Sequence, residues 1–150
     1  ISNFARPGHA CRHNLNTWRM QEWVGLGPSA ASQSGGWRGG NVADLDRWLA
    51  DLERGVRVTE DRVAATAALL AEDALIFGLR MNAGVDLAPW RRRAPEAPWR
   101  AVEETLATLQ EAGWLAQEGD RVRLTERGRL VADSAGAEIM AAFDPVVAAR

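Results

Sequence analysis

The spacing of apolar positions changes along this chain, and each change marks a different predicted element. Ile1 to Phe4 reads as the end of a strand, broken at Arg6-Pro7-Gly8 because proline lacks an N–H donor and glycine permits turn dihedrals. Trp23-Val24-Gly25-Leu26-Gly27 is an apolar run long enough for one buried strand. Residues 28–41, PSAASQSGGWRGGN, are rich in Ser and Gly and predict an irregular connection. Two short strands joined by a long loop do not make a stable sheet alone, so these require a further pairing partner.

Beyond Asn41 the spacing turns helical. Asn41 is the predicted N-cap of a helix whose Leu45, Trp48, Leu49 and Leu52 form one apolar face, and Gly55 is its natural C′ residue. Thr59 is expected to cap a second helix, in which Val63, Ala67, Leu70, Ala74, Phe77 and Met81 recur at alternating intervals of four and three. Gly84 resets the chain, and Pro89, Pro95 and Pro98 punctuate a connection that carries Trp90. A third helix turns Val102, Leu106 and Leu109 inward and ends near Gly113. Trp114 and Leu115 open an extended segment, Glu118-Gly119-Asp120 turns it, and Arg121 to Leu124 alternates polar and apolar, which predicts a hairpin. Thr125 then offers a cap for one final helix through Leu130, Val131, Ile139 and Met140, with a frayed end after Pro145. The expected class is α+β, mainly α, with a winged-helix-like arrangement of helices, hairpin wing near residues 114–125, and closing helix.

Composition narrows the function classes more than it selects one. A chain of 150 residues, 47% hydrophobic and 25% charged, is long enough for one ordinary core, with or without an appendage. A net charge of -2 exerts no global pull on nucleic acid or membrane surfaces, so any such binding has to be local. All 18 basic residues other than histidine are arginine, which reads as a compositional bias without mechanistic content. A single cysteine forms no internal disulfide and fits a reducing, cytoplasmic setting. No apolar run approaches the ~18 residues of a membrane-spanning helix, and the N-terminus lacks a signal-peptide layout.

Four constellations invite chemistry. His9, Cys11 and His13 recur at a spacing of two, so an extended backbone would project all three side chains to one side. A structural zinc site normally needs four ligands, and the chain has no further Cys or His to supply a fourth, so a surface loop is the better reading. Gly25-Leu26-Gly27-Pro28-Ser29-Ala30 matches G-x-G-x-x-A with Asp46 downstream, but residues 32–40 forbid the helix a dinucleotide site requires. Glu72 and Asp73 are adjacent on a helix and point about 100° apart. Pairing with arginines such as Arg80, or solvent exposure, suits them better than a catalytic role, and no residue is assigned one. Trp90, Arg91, Arg92, Arg93 and Trp99 could stack on a nucleic-acid strand. Glu103, Glu104 and Glu111 load the following helix with charge that phosphates repel, so a solvated basic loop and no nucleic-acid partner are expected.

Four blocks, ISNFARPGHACRHNLNTW, WVGLGPSAAS, EDALIFGLRMNAGVDL and GWLAQEGDRVRLTERGRLVADSAGAEIM, resemble the C-terminal portion of radical-SAM oxygen-independent coproporphyrinogen III oxidase-like proteins, and more narrowly their haem-chaperone branch. The resemblance extends from Ile1 to about Met140. It implies that residues 1–40 are the last strands and loop of a partial (β/α) barrel, and that residues 41–150 are a separate helical C-terminal domain. It also implies a [4Fe–4S] cluster on a C-x-x-x-C-x-x-C motif, with S-adenosylmethionine on the cluster's open iron. That motif is absent here, so the chain, which starts with Ile, is expected to be part of a longer protein and inactive alone.

The same resemblance assigns residues. The family's H-N-x-x-Y-W pattern reads His13-Asn14-Leu15-Asn16-Thr17-Trp18 here. It implies His13 as the ligand to haem iron, with Asn14 and Trp18 shaping the pocket, while Thr17 removes an aromatic face. The alternative leaves Trp18 as core filler and His13 bonded to a backbone group. Cys11 is a second axial ligand or, as favoured, an inert thiol. Gly25 and Gly27 would lie near S-adenosylmethionine, where a missing β-carbon permits close approach, or simply form a tight turn. The implied function is haem binding and transfer to an acceptor protein. The alternatives are coproporphyrinogen III decarboxylation and an independent winged-helix interaction module. Expected partners are haem or porphyrin, the acceptor, the missing N-terminal barrel, and a second copy paired through exposed strand edges.

Overall fold

The computed structural model describes residues 3–144, which divide into two compact units: residues 21–66, and residues 3–20 together with 67–144. The expected strand at Ile1 to Phe4 falls partly outside the described residues, and Asn3 and Phe4 carry no regular structure. Arg6-Pro7-Gly8 turns as predicted, with the His9 N–H donating to the Arg6 carbonyl at 2.9 Å. The first helix, α1 (Arg12–Trp18), follows.

The smaller unit is built on a hairpin where the sequence predicts a loop. β1 (Ala31–Ser34) and β2 (Trp37–Asn41) pair antiparallel with Ser34 opposite Trp37. The two intervening residues, Gly35 and Gly36, have φ of 60° and 78°. Positive φ at both central positions is what a type I′ hairpin turn demands, and only glycine supplies it without strain. The apolar run at Trp23 is not a full strand; Trp23 makes an isolated antiparallel bridge to Gln33.

Helix α2 (Leu45–Glu53) is capped by Asp44, whose carboxylate accepts from the Arg47 N–H at 2.7 Å. Asn41, the predicted cap, is instead the last residue of β2. Gly55 does terminate α2, at φ 70°. Thr59 caps no helix: it opens β3 (Thr59–Ala64), which pairs antiparallel with β2 and completes the order β1-β2-β3. Val63 fits the helical stripe by spacing, but its backbone is committed to the open edge of β2. The register shifts between Arg38 and Gly40, and Asp61 adopts φ 50° at this bulge. A β-carbon on Gly39 would lie 2.8 Å from the Glu60 carbonyl oxygen, so the bulge requires glycine opposite it.

The larger unit carries the apolar core. α3 (Ala67–Gly78) is followed by β4 (Val85–Asp86), the short helix α4 (Ala88–Arg93), α5 (Trp99–Glu111), and the hairpin β5 (Leu115–Glu118) and β6 (Arg121–Leu124). The strand order is β4-β6-β5, all antiparallel, so the predicted hairpin gains a third strand. Val102, Leu106 and Leu109 are buried as their spacing predicts. Leu75, Leu87, Val102, Val122 and Ile139 are each at most 1% exposed. Trp99 meets Phe143 edge-on at 6.1 Å between ring centroids.

Thr125 caps α6 (Glu126–Leu130), its hydroxyl accepting from the Gly128 N–H at 3.0 Å. The expected single closing helix is split, however, because Val131 leaves helical geometry before α7 (Ala132–Phe143). α6 lies so close to the hairpin that a β-carbon on Gly128 would stand 1.8 Å from the Trp114 carbonyl oxygen. Expected end fraying after Pro145 lies outside the described residues.

Candidate functional site

His13, Asn14 and Trp18 all lie on α1, in the larger unit, where α1 packs against α3. His9 and Cys11 precede the helix, so the three potential ligands do not share one extended strand. Among the described residues no group of three His, Cys, Asp or Glu side chains could hold a metal ion. Successive helical residues turn by about 100°. Asn14 and Trp18, four apart, therefore share a face, and His13 points roughly 140° away from Trp18.

His13 is exposed, whereas Asn14 through Trp18 are half-buried. Asn14 donates to the Asn3 side chain at 3.1 Å. The Thr17 hydroxyl bonds back to the His13 carbonyl at 3.3 Å, a local use of the position where an aromatic was expected. The His13 ring makes no hydrogen bond among the described residues. A solvent-facing imidazole of this kind can ligate iron.

Gly25 and Gly27 lie in the smaller unit and differ from each other. A β-carbon at Gly25 would fall 2.3 Å from the Ala31 carbonyl oxygen, so the space its missing side chain opens is filled by the chain itself. Gly27 has φ 96° with nothing within 4 Å of a would-be β-carbon, and it keeps an open face. β1 follows this loop, so no helix N-terminus meets it and a dinucleotide site is excluded here.

Sequence reasoning missed the residues that hold this loop. Asn41 is 5% exposed. Its amide donates to the Gly25 carbonyl at 3.2 Å and the Gly27 carbonyl at 2.8 Å. Arg57 donates to Asn41 Oδ1 at 3.0 Å, the Gly25 carbonyl at 3.2 Å and Ser32 Oγ at 2.7 Å. Ser32 in turn accepts from the Gly25 N–H at 2.9 Å. No periodicity announces such a junction, because its members come from a loop, two strands and a linker. The one available signal was an Asn following Gly39-Gly40, too polar for a strand end unless something inside needed it.

The basic segment is already engaged. Arg91 pairs with Asp120 and, at 3.0 Å, with Glu103. Arg93 lies over the Trp90 ring at 5.6 Å, and the Trp99 indole donates to the Ala94 carbonyl at 2.8 Å. Arg80 pairs with Asp133 at 3.4 Å, and Asp73 is buried on α3.

With this geometry in place, known proteins can be compared. Residues 66–131 match the HemN C-terminal domain. The chain is 37% identical over 136 residues to "Heme chaperone HemW" of Mycobacterium tuberculosis, covering 89% of this chain and 32% of that protein. This chain is a homologue of the HemW and HemN-like radical SAM proteins. The HemW of Synechocystis is 36% identical over 127 residues, 80% of this chain and 29% of the relative. The mitochondrial radical S-adenosyl methionine domain-containing protein 1 of Danio rerio is 31% identical over 136 residues, with coverage of 85% and 30%. The chain thus spans about a third of the length of these HemW-type relatives. Its fold is like that of a solved coproporphyrinogen III oxidase, HemN from Escherichia coli, described as a radical SAM enzyme. The TM-score is 0.62 at 19% identity, over 79% of this chain and 28% of the other. The shared architecture is a mixed α/β one, seven helices and two small sheets among the described residues.

Proposed function

We propose that this chain is the C-terminal part of a haem chaperone, a protein that binds haem and passes it to an acceptor protein. The 37% identity to a HemW over 89% of the chain carries this reading. Haem is the cargo in this account. His13 is its axial ligand, presented by α1 with an exposed imidazole, while Asn14 and Trp18, on another face of the same helix, border the approach to it. In this account the strands of the smaller unit continue a partial barrel, and the helices with their β5–β6 wing form a winged-helix-like domain that meets the acceptor. A cytoplasmic setting suits the single unpaired thiol; no helix among the described residues is long and apolar enough to cross a membrane.

HemN-like relatives are radical SAM proteins, which implies a [4Fe–4S] cluster and S-adenosylmethionine. One exposed cysteine does not fit a cluster that needs several thiolates, so no step is assigned to the cluster here. Gly27, with its open face, is the residue of this loop that suits contact with S-adenosylmethionine; at Gly25 that space is taken by Ala31. Coproporphyrinogen III decarboxylation is the competing activity, and the likeness to HemN supports its fold alone.

Haem titration followed in the Soret band tests the reading. These 150 residues should bind haem weakly, because a pocket assembled from about a third of a HemW-type protein buries little of a porphyrin. In the full-length protein, His13→Ala should weaken binding and alter the spectrum. Unchanged affinity and spectrum would remove His13 from the site, and coproporphyrinogen turnover without stable haem binding would favour the oxidase.

A further inference from the structure

We infer that the smaller unit holds one ordered water between the buried Asp51 carboxylate and the exposed Arg57. The Asp51 side chain is 6% exposed, and Arg54 occupies its Oδ1. Arg47 Nε stands 3.9 Å from Oδ2, beyond hydrogen-bond reach, and Oδ2 has no hydrogen-bond partner among the described residues. A buried carboxylate oxygen without a donor is costly, so native structures satisfy it with protein groups or an ordered water.

Asp51 lines a cavity together with Asn41, Trp48, Val56, Arg57 and Val58, with about 10 Å3 available to the centre of a water-sized sphere. That is about the space a single water needs. Size and charge select the occupant. The space is too small for a phosphate or an organic molecule. Arg47 and Arg54 sit at the carboxylate and Arg57 lines the cavity, so a cation meets their combined repulsion, while an anion meets Asp51 itself.

A neutral donor and acceptor remains. Arg57 spends Nε and Nη2 on Asn41, Gly25 and Ser32, which leaves the Nη1 hydrogens to donate to the water. The water donates to Asp51 Oδ2 in return. It links the last turn of α2 to the junction that grips the Gly25 and Gly27 carbonyls, and so ties the helix to the loop.

Two measurements on the full 150-residue chain test this. A high-resolution crystal map should show a peak in the cavity within hydrogen-bond distance of Asp51 Oδ2. Oxygen-17 relaxation dispersion should count one slowly exchanging water fewer in Val58→Ile, whose extra methyl fills the cavity. An empty cavity in the wild-type map, or Oδ2 bonded directly to an arginine, overturns the assignment whether or not the variant folds. Equal water counts, with the new methyl seen in the cavity, overturn it as well.

Discussion

The two units of this chain bury opposite kinds of surface. Among the described residues every buried hydrophobic one but Val42 lies in the larger unit, and all of these except Leu70 and Ala74 form one cluster from Ala71 to Phe143. The smaller unit buries Ser32, Gln33, Asn41 and Asp51, while Val24, Leu26, Leu45, Leu49, Leu52, Val56 and Val63 are each at least 45% exposed. The larger unit is held by the hydrophobic effect, which is non-directional and scales with area. The smaller is held by hydrogen bonds whose worth lies mostly in the cost of leaving a buried partner unpaired. A unit organised in this way leaves apolar side chains on its exterior.

Substitutions can break this contrast at either end. Leu75→Ala in the larger unit should cost the most, about 2–5 kcal/mol, since the side chain is 1% exposed and its cavity can collapse only in part. Chemical denaturation, with loss of amide-exchange protection along α3, measures it. Asn41→Ala should cost about 1–3 kcal/mol by removing the acceptor of Arg57 Nε and one donor from each of the Gly25 and Gly27 carbonyls. Faster exchange at the Gly25 amide, with α5 unaffected, would mark the loss as local to the smaller unit.

The helix caps provide a matched pair, because Asp44 and Thr125 each accept from the N–H three residues on. Each alanine variant should lose about 1 kcal/mol. Thr125→Ala should lose the more, since its hydroxyl also donates to the Gly113 carbonyl at 2.7 Å. The smallest effect belongs to Leu45→Ser combined with Leu49→Ser, residues 56% and 50% exposed. Stability should move by no more than about 0.5 kcal/mol per site while binding of a hydrophobic dye falls. A loss comparable with Leu75→Ala would abolish the contrast between the units.

The larger unit was legible in the sequence because its elements are local. The inward Val102, Leu106 and Leu109, the Glu118-Gly119-Asp120 turn and the Thr125 cap all appear where their spacing predicts, whereas of the Val63-to-Met81 stripe only Ala67 to Phe77 is helical, and α3 turns Ala71 and Leu75 into the core cluster. The smaller unit misled the same reasoning four times: Trp23 to Gly27 as a strand, Asn41 as a cap, Thr59 as a helix start, and residues 28–41 as a loop. At Thr59 a pairing with β2 outweighed a local helical preference, whereas residues 31–41 fold on themselves around Gly35-Gly36. The candidate site divided the same way. The motif residues on α1 were named from sequence, but their separation around the helix, with His13 exposed and Trp18 half-buried, needed the helix itself.

By itself, then, the sequence determined the helix that buries Val102, Leu106 and Leu109, the β5–β6 hairpin, the Thr125 cap, and the kinship with HemW and HemN-like proteins. Periodicity and capping are read within a turn or two of chain, and aligned motifs need no coordinates. Only the tertiary structure decided that β3 closes a sheet, that Asn41 and Arg57 clamp the Gly25–Gly27 loop, and that Gly25 is packed while Gly27 stays open. The clamp depends on which backbone groups find partners 14 to 32 residues away, and the need to pair buried polar groups overrides local preference wherever the two conflict.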